Sequence, residues 1–199
     1  KKLIKLLVRK KTRRRPAKKR RGTGSKIINQ VSIDNRPKHI ELREETGHWE
    51  GDLMIGKNHK SAIGTIVERK SRYTIIIKLK SKKADEVAKM FSKKLNQLQK
   101  IFKKSMTYDN GIEMARHEKI TKKTDMKIYF AHPYSSWQRG TNENTNGLIR
   151  RYLPKGTDFN KIDERSLRII QEKLNNRPRK IIGFKTPQEM MDSELKKVA

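Results

Sequence analysis

Residues 47–56 read GHWEGDLMIG. Trp49, Gly51, Leu53 and Ile55 alternate with Glu50, Asp52 and Met54, which is the period of a strand. One side of that strand is apolar and belongs against a core. The other carries two carboxylates. A strand interior is an unfavourable place for Asp by propensity. Asp52 is therefore either a solvent-facing or hydrogen-bonded structural residue, or it is there for chemistry.

Working outward, residues 61–68 (SAIGTIVE) and 73–79 (YTIIIKL) predict two more strands. The short connection over 69–72 makes them a hairpin. Ala84, Val87, Ala88, Phe91, Leu95 and Leu98 recur at helical spacing and predict a helix near 84–100. Asp85 and Glu86 suit its first turn. A fourth strand near 105–109 stops at Asn110-Gly111, a strong turn signal. A short helix is expected over 112–119, then a fifth strand over 127–130 (KIYF) that ends before Pro133. Further helices are expected at about 142–153 and at 163–176, the latter capped by Asp163. A last helix opens at Thr186-Pro187, with Pro at its first position. The order is β-β-β-α-β-α-β-α-α, an α/β arrangement with a mixed five-stranded sheet and helices on both faces.

Residues 1–26 are expected to form a basic arm or linker, disordered alone. Residues 27–46, interrupted by Pro37, read as a lead-in segment, and 47–199 as the folded core. The formal net charge is +30, from 51 Lys and Arg against 21 Asp and Glu. Fourteen of the basic residues fall in 1–26, which holds no acid, and the other 37 still outnumber the acids. Arm and core alike attract a polyanion, of which nucleic acid is the commonest. There is no cysteine, which excludes disulfides, thiolate zinc sites and a Cys nucleophile, and fits a cytoplasmic location. The apolar runs are too short for a transmembrane helix.

Asp109 is predicted to end the fourth strand, and Glu143 to open a helix in the polar run Thr141-Asn142-Glu143-Asn144. If Asp52, Asp109 and Glu143 met on one sheet, each pair would repel by about 4 kcal/mol at 4 Å and an effective dielectric of 20. Such a cluster takes up protons or shares cations. All-oxygen ligation points to Mg²⁺ or Mn²⁺, and a pair of such ions stabilises both oxygens of an in-line phosphoryl displacement. Glu50, on the same side of the strand as Asp52, is a rival ligand or a neighbour that orients one. Glu113, one helical turn after Asp109, could also point into such a site. Spacing alone does not show that these acids converge.

The segments GHWEGDLMIG (47–56), TYDNG (107–111) and SSWQRGTNENTNGLIRRYLPKGTDF (135–159) resemble the integrase core of IS30-family transposases. The likeness continues through SAIGTIVERKSRYT (61–74) and LNNRPRKIIGFKTPQE (174–189). The interval between Asp109 and Glu143 is similar to that family's DD(33)E spacing. The resemblance implies a ribonuclease H-like fold. It also implies a triad of Asp52, Asp109 and Glu143 holding two Mg²⁺ or Mn²⁺ ions. Water would first cut the element's end, and the freed 3′-OH would then attack target DNA. The sequence departs from the family's frequent Asp and Pro at His132 and Ser136, neither of which belongs to the triad. Family members also carry an N-terminal helix-turn-helix region, and nothing before residue 27 reads as one. The implied partners are double-stranded DNA (element ends and target) and further copies of the chain once on DNA. Two other readings stay open: a ribonuclease H-like nuclease that cuts without joining, and a non-catalytic basic DNA-binding remnant.

Trp137 could stack on a base or pack its helix against the sheet, and Arg139 could bind phosphate. On the Glu143 helix, Gly147 and Arg150 share the glutamate's face and Asn146 flanks it. Leu148, Ile149 and Tyr152 are expected to turn toward the core. Asn146, Arg150, Arg151 and Lys155 are candidate DNA contacts. His48, His117 and His132 are candidate general bases. Residues 175–179 (NNRPR) read as a helix stop, with two Arg that could touch DNA.

Overall fold

The computed structural model describes residues 27–197, so the arm expected over 1–26 lies outside the described residues. Five strands form one sheet: β1 His48–Ile55, β2 Ala62–Glu68, β3 Thr74–Lys78, β4 Ser105–Tyr108 and β5 Lys127–Phe130. Their order is β3-β2-β1-β4-β5, with β1 at the centre. The first three strands pair antiparallel, and β4 and β5 extend β1 in parallel.

Helices cover both faces. α2 (Ala84–Leu95) and α3 (His117–Thr124) pack on one. Val87, Phe91, Leu95 and Ile120 meet Trp49, Ile66, Ile77 and Met106 there. α4 (Gly140–Ile149) and α5 (Glu164–Asn175) lie on the other, where Ile149, Leu167, Ile170 and Leu174 meet Met54, Ile63 and Ile76. With both faces covered, all seven residues of β2 are buried. A β-branched run such as AIGTIVE fits a strand with no solvent face. Its last residue, Glu68, is buried and accepts from the backbone of Gly47, Lys70 and Ser71 and from the Ser71 hydroxyl. One carboxylate thus closes the β2–β3 turn and anchors the entry to β1.

The five strands match expectation, and several helix limits move. α2 ends at Leu95; Lys100–Phe102 is a separate 3-10 turn. The helix expected over 112–119 is a 3-10 turn at Ile112–Met114 followed by α3, which ends where Asp125 adopts a left-handed φ of 59°. α4 runs Gly140–Ile149 rather than 142–153. Pro154 disfavours helix in the residue before it, and Tyr152 stays 41% exposed instead of turning inward. α5 begins after Asp163 as read, and Asp163 accepts from the Ser166 amide. α6 (Pro187–Lys196) opens with a full capping box between Thr186 and Glu189.

The segment before β1 holds a short helix α1 (His39–Leu42) and a 3-10 turn at Ile33–Asn35, neither of which the sequence reading expected. Ile27, Ile33 and Ile40 are buried, and the Val31 carbonyl accepts from the Phe130 amide at the β5 edge. Among the described residues, no helix is long and apolar enough to cross a membrane.

Candidate active site

The parallel β1–β4 register pairs His48 with Ser105, Trp49 with Met106 and Glu50 with Thr107. Two residues further along, Asp52 comes level with Asp109, just past the end of β4. Strand chemistry at the carboxyl end of parallel strands is where open α/β sheets hold their ligands. Gly51 makes this possible. A Cβ there would lie 2.2 Å from the Tyr108 ring, so only glycine lets β1 and Tyr108 approach so closely.

Asp52 and Asp109 line one cavity of about 160 Å³ together with Glu113. The Asp109 carboxylate accepts from the Gly111 amide at 3.1 Å, which fixes it at the Asn-Gly turn. The Asp52 side chain is 25% exposed and that of Asp109 47%. Burial pushes the Asp52 carboxyl up to about 6; Arg139 works against the shift and Asp109 adds to it.

Arg139 spans the pair. Its Nη1 lies 3.6 Å from Asp52 Oδ1 and its Nη2 3.3 Å from Asp109 Oδ2, while Nη1 also donates to the Gly51 carbonyl. The sequence offered Arg139 as a phosphate contact. In the structure its charge is spent between two carboxylates.

α4 is bound to β1 by two asparagines one turn apart. Asn142 donates to the Glu50 carbonyl, and its backbone amide donates to Glu50 Oε2. Asn146 accepts from Thr65 Oγ1 at 2.9 Å and donates to Asp52 Oδ2 at 2.8 Å. Glu143, exposed on α4, sits one turn before Asn146. Residues three apart on a helix have Cβ atoms about 5–6 Å apart, so Glu143 stands within a turn of a residue that touches Asp52.

Glu50 is fully buried and paired with Arg69 at 2.7 Å. It shares Asp52's side of the strand, as read, but that side is covered by α4 and is no polar surface. Glu50 holds α4 in place and makes no contact with Asp52 among those described. Glu113 could point into the site by its spacing, and its Oε2 and Asp109 Oδ1 both border the space over Gly111. Trp137 is 73% exposed and does not pack α4 on the sheet. Arg150 donates to the Ile55 carbonyl and lies over the Phe159 ring, whereas Arg151 and Lys155 are exposed.

None of the candidate histidines reaches the aspartates. His132 pairs with Asp34, and His117 lies against Phe130 and the Asn29 carbonyl. His48 clusters with Glu45 and His39 at the start of β1, four residues before Asp52, roughly 13 Å along a strand. Its ring nitrogens are taken by Ser105 and Glu45, and Lys104 holds the other Glu45 oxygen.

Residues 43–136 match the model of the integrase core domain, a stretch that contains Asp52 and Asp109 and stops short of Glu143. Over 180 residues, 90% of this chain, the sequence is 47% identical to the transposase InsI for insertion sequence element IS30A of Escherichia coli K12, covering 46% of that protein. It is 48% identical over 163 residues to the transposase for insertion sequence element IS4351 of Bacteroides fragilis, covering 82% of this chain and 50% of the relative. Over most of its length the chain is similar to IS30-type transposases. It spans about half the length of the curated relatives it matches.

The fold agrees with that similarity. The catalytic core domain of BIV integrase superposes with a TM-score of 0.59 at 21% identity, covering 77% of this chain and 99% of the other. A chain of the simian T-cell lymphotropic virus intasome in complex with PP2A regulatory subunit B56 gamma gives 0.58 at 17%, covering 73% of this chain and 54% of the other. The mixed sheet is thus ribonuclease H-like, as the resemblance implied.

The donors at Asp52 and Asp109 suit a hard divalent cation. They are all oxygen, two carboxylates share one cleft, and burial already raises one of them, so a cation there relieves both repulsion and desolvation.

Proposed function

We propose that this chain is the catalytic part of a DNA transposase that cuts DNA at the ends of its own element and joins the freed 3′-OH to target DNA. Asp52, Asp109 and Glu143 are its metal-holding carboxylates, with Mg²⁺ or Mn²⁺ as the natural ions, two per site. The observation that carries this reading is the parallel register that sets Asp52 beside Asp109, with α4 tied to Asp52 through Asn146.

Bound ions would lower the pKa of an attacking water or 3′-OH and neutralise charge on the phosphate oxygens. The chain's residues do the positioning. Asn146 and the Leu53 amide fix the two Asp52 oxygens, and the Gly111 amide fixes Asp109. Arg139 holds the two aspartates compatible until a cation takes over that task. Each displacement breaks one P–O bond and forms one. In the first, the leaving oxygen becomes the 3′-OH; in the second, that oxygen attacks the target phosphodiester. The basic surface supplies attraction for duplex DNA, and action on two ends favours more than one copy in the working complex.

The test is this protein incubated with Mg²⁺ and a duplex bearing the element's end. The expected products are end nicks and strand-joined molecules. Nicks without joining would reduce the reading to a nuclease, and no metal-dependent product at all would overturn it.

A further inference from the structure

Beside the first turn of α4 lies a cavity of about 180 Å³. Arg43, Arg72 and Arg179 line it together with Thr141 and Asn144. These guanidiniums come from three distant points of the chain: the residue after α1, the β2–β3 connection and the segment following α5. Each is partly buried. Among the described residues none of the three has a carboxylate within ion-pair distance. The Nε atoms of Arg72 and Arg179 are buried without a hydrogen-bond partner among the described residues. Arg72 Nη1 donates to Thr141 Oγ1 at 2.7 Å, and Arg179 Nη2 to the Leu174 carbonyl at 3.1 Å, which hold the two side chains toward the cavity wall.

Gathering like charges in a partly desolvated pocket is costly. The cost is visible in the groups themselves. Burial and the neighbouring Arg43 push Arg72 down to about 10, and burial and Arg177 lower Arg179. An arrangement of this kind is compensated when an anion completes it. Planar guanidinium forks suit the oxygens of a phosphate in particular. Asn144, in the cavity wall, is the residue after Glu143, so an anion held here rests on the helix that carries the proposed third carboxylate.

We propose that Arg43, Arg72 and Arg179 form a clamp for one backbone phosphate of the DNA strand being processed. The inference rests on the transposase reading for the identity of the strand. The clamp positions the DNA and takes no part in bond breaking.

The experiment uses the full chain and a short duplex without Mg²⁺, so that binding is read apart from chemistry. Affinity is measured against salt for the wild type, for Arg72→Gln/Arg179→Gln, and for Lys122→Gln on α3. The double variant is expected to bind roughly tenfold more weakly near 0.15 M salt. Its log–log salt slope should be shallower by about 1, the value for one lost phosphate contact. Lys122→Gln should leave the slope in place. A double variant that melts like the wild type but keeps its slope overturns the clamp.

A second measurement holds even if the variants fail to fold. The Arg72 and Arg179 Nε–H signals of the wild type are followed by NMR while either inorganic phosphate or the duplex is added. Shifts at micromolar duplex, with phosphate effective only at far higher concentration, support a DNA-backbone clamp. Shifts with phosphate alone, or with neither, overturn it. Failure of the wild type to nick end-bearing DNA would sink the transposase reading while leaving these binding results intact, so the two claims fail separately.

Discussion

Asn146 donates to Asp52 Oδ2 across 2.8 Å, and so ties the helix that carries Glu143 to the central strand that carries Asp52. Thr65 on the neighbouring strand fixes which end of the amide faces the carboxylate, because its hydroxyl donates to Asn146 Oδ1. Asn146→Ala should therefore leave the fold in place and loosen the geometry of the site. Groups that orient metal ligands typically contribute 10–100-fold. The expected outcome is a loss of about that size in Mn²⁺ affinity by titration calorimetry, with a melting temperature close to wild type.

Arg139 touches both aspartates and competes with any cation for them. Arg139→Gln should bind Mn²⁺ several-fold more tightly than the wild type. Without metal its melting temperature should be lower, because two carboxylates then face each other without a counter-charge. Calorimetry with and without Mn²⁺ checks both signs. Equal Mn²⁺ affinity in the two proteins would mean that Arg139 does not stand in the way.

Glu50 is the acid most easily mistaken for a ligand. It is fully buried, paired with Arg69 and bonded to the Asn142 amide. Breaking one partner of a buried ion pair costs roughly 3–5 kcal/mol. For a domain of this size about 3 kcal/mol corresponds to a fall of roughly 6–12 °C in melting temperature. Glu50→Gln should show that fall, and the folded fraction should bind Mn²⁺ as the wild type does. Lost metal binding at unchanged stability would make Glu50 a ligand after all.

These contacts show where the sequence spoke and where it was silent. The alternation over 47–56 located β1 and the phase of Asp52, and Asn110-Gly111 located the end of β4, because both signals are local. That Glu50 is buried depends on α4, which returns from some 90 residues away, and no local period reports it. Read alone, the strand's acidic side looked polar; the structure makes it a second covered face. Trp137 carried two readings, stacking on a base or packing its helix against the sheet, and its exposure removes the second. Arg139 read as a phosphate contact, and only the fold, not a local signal, sets it between two aspartates.

Tyr108 is fully buried against Gly51, and its hydroxyl has no hydrogen-bond partner among the described residues. An unmet buried polar group costs about 1–3 kcal/mol. Tyr108→Phe removes that group without changing the ring, so chemical denaturation should show equal or greater stability. Gly51→Ala drives a methyl into the same ring and should destabilise by at least 1–3 kcal/mol, roughly the cost of overpacking. A destabilised Tyr108→Phe would mean that the hydroxyl is satisfied.

Glu45 gives the pH dependence its sign. Hydrogen bonds from His48 and Lys104 hold its carboxyl down at about 2, against an ordinary 4.5. A depressed folded-state pKa adds stability that is present above about 4.5 and is lost as pH falls toward 2. The side chain is 43% exposed, so solvent limits the effect to roughly 1 kcal/mol. Wild type should melt above Glu45→Gln at pH 7, and the gap should shrink steadily between pH 4.5 and 3. A gap independent of pH would assign the difference to packing.

Two glutamates compete to complete the site: Glu113, which shares the cavity with both aspartates, and Glu143, one turn from Asn146 on α4. Mn²⁺ binding to the DNA-bound wild type, Glu113→Gln and Glu143→Gln decides between them most directly. The prediction is two ions for the wild type and for Glu113→Gln, with affinities within about twofold, and loss of one ion or at least about tenfold in affinity for Glu143→Gln. Full binding by Glu143→Gln together with its loss in Glu113→Gln would contradict the proposed triad.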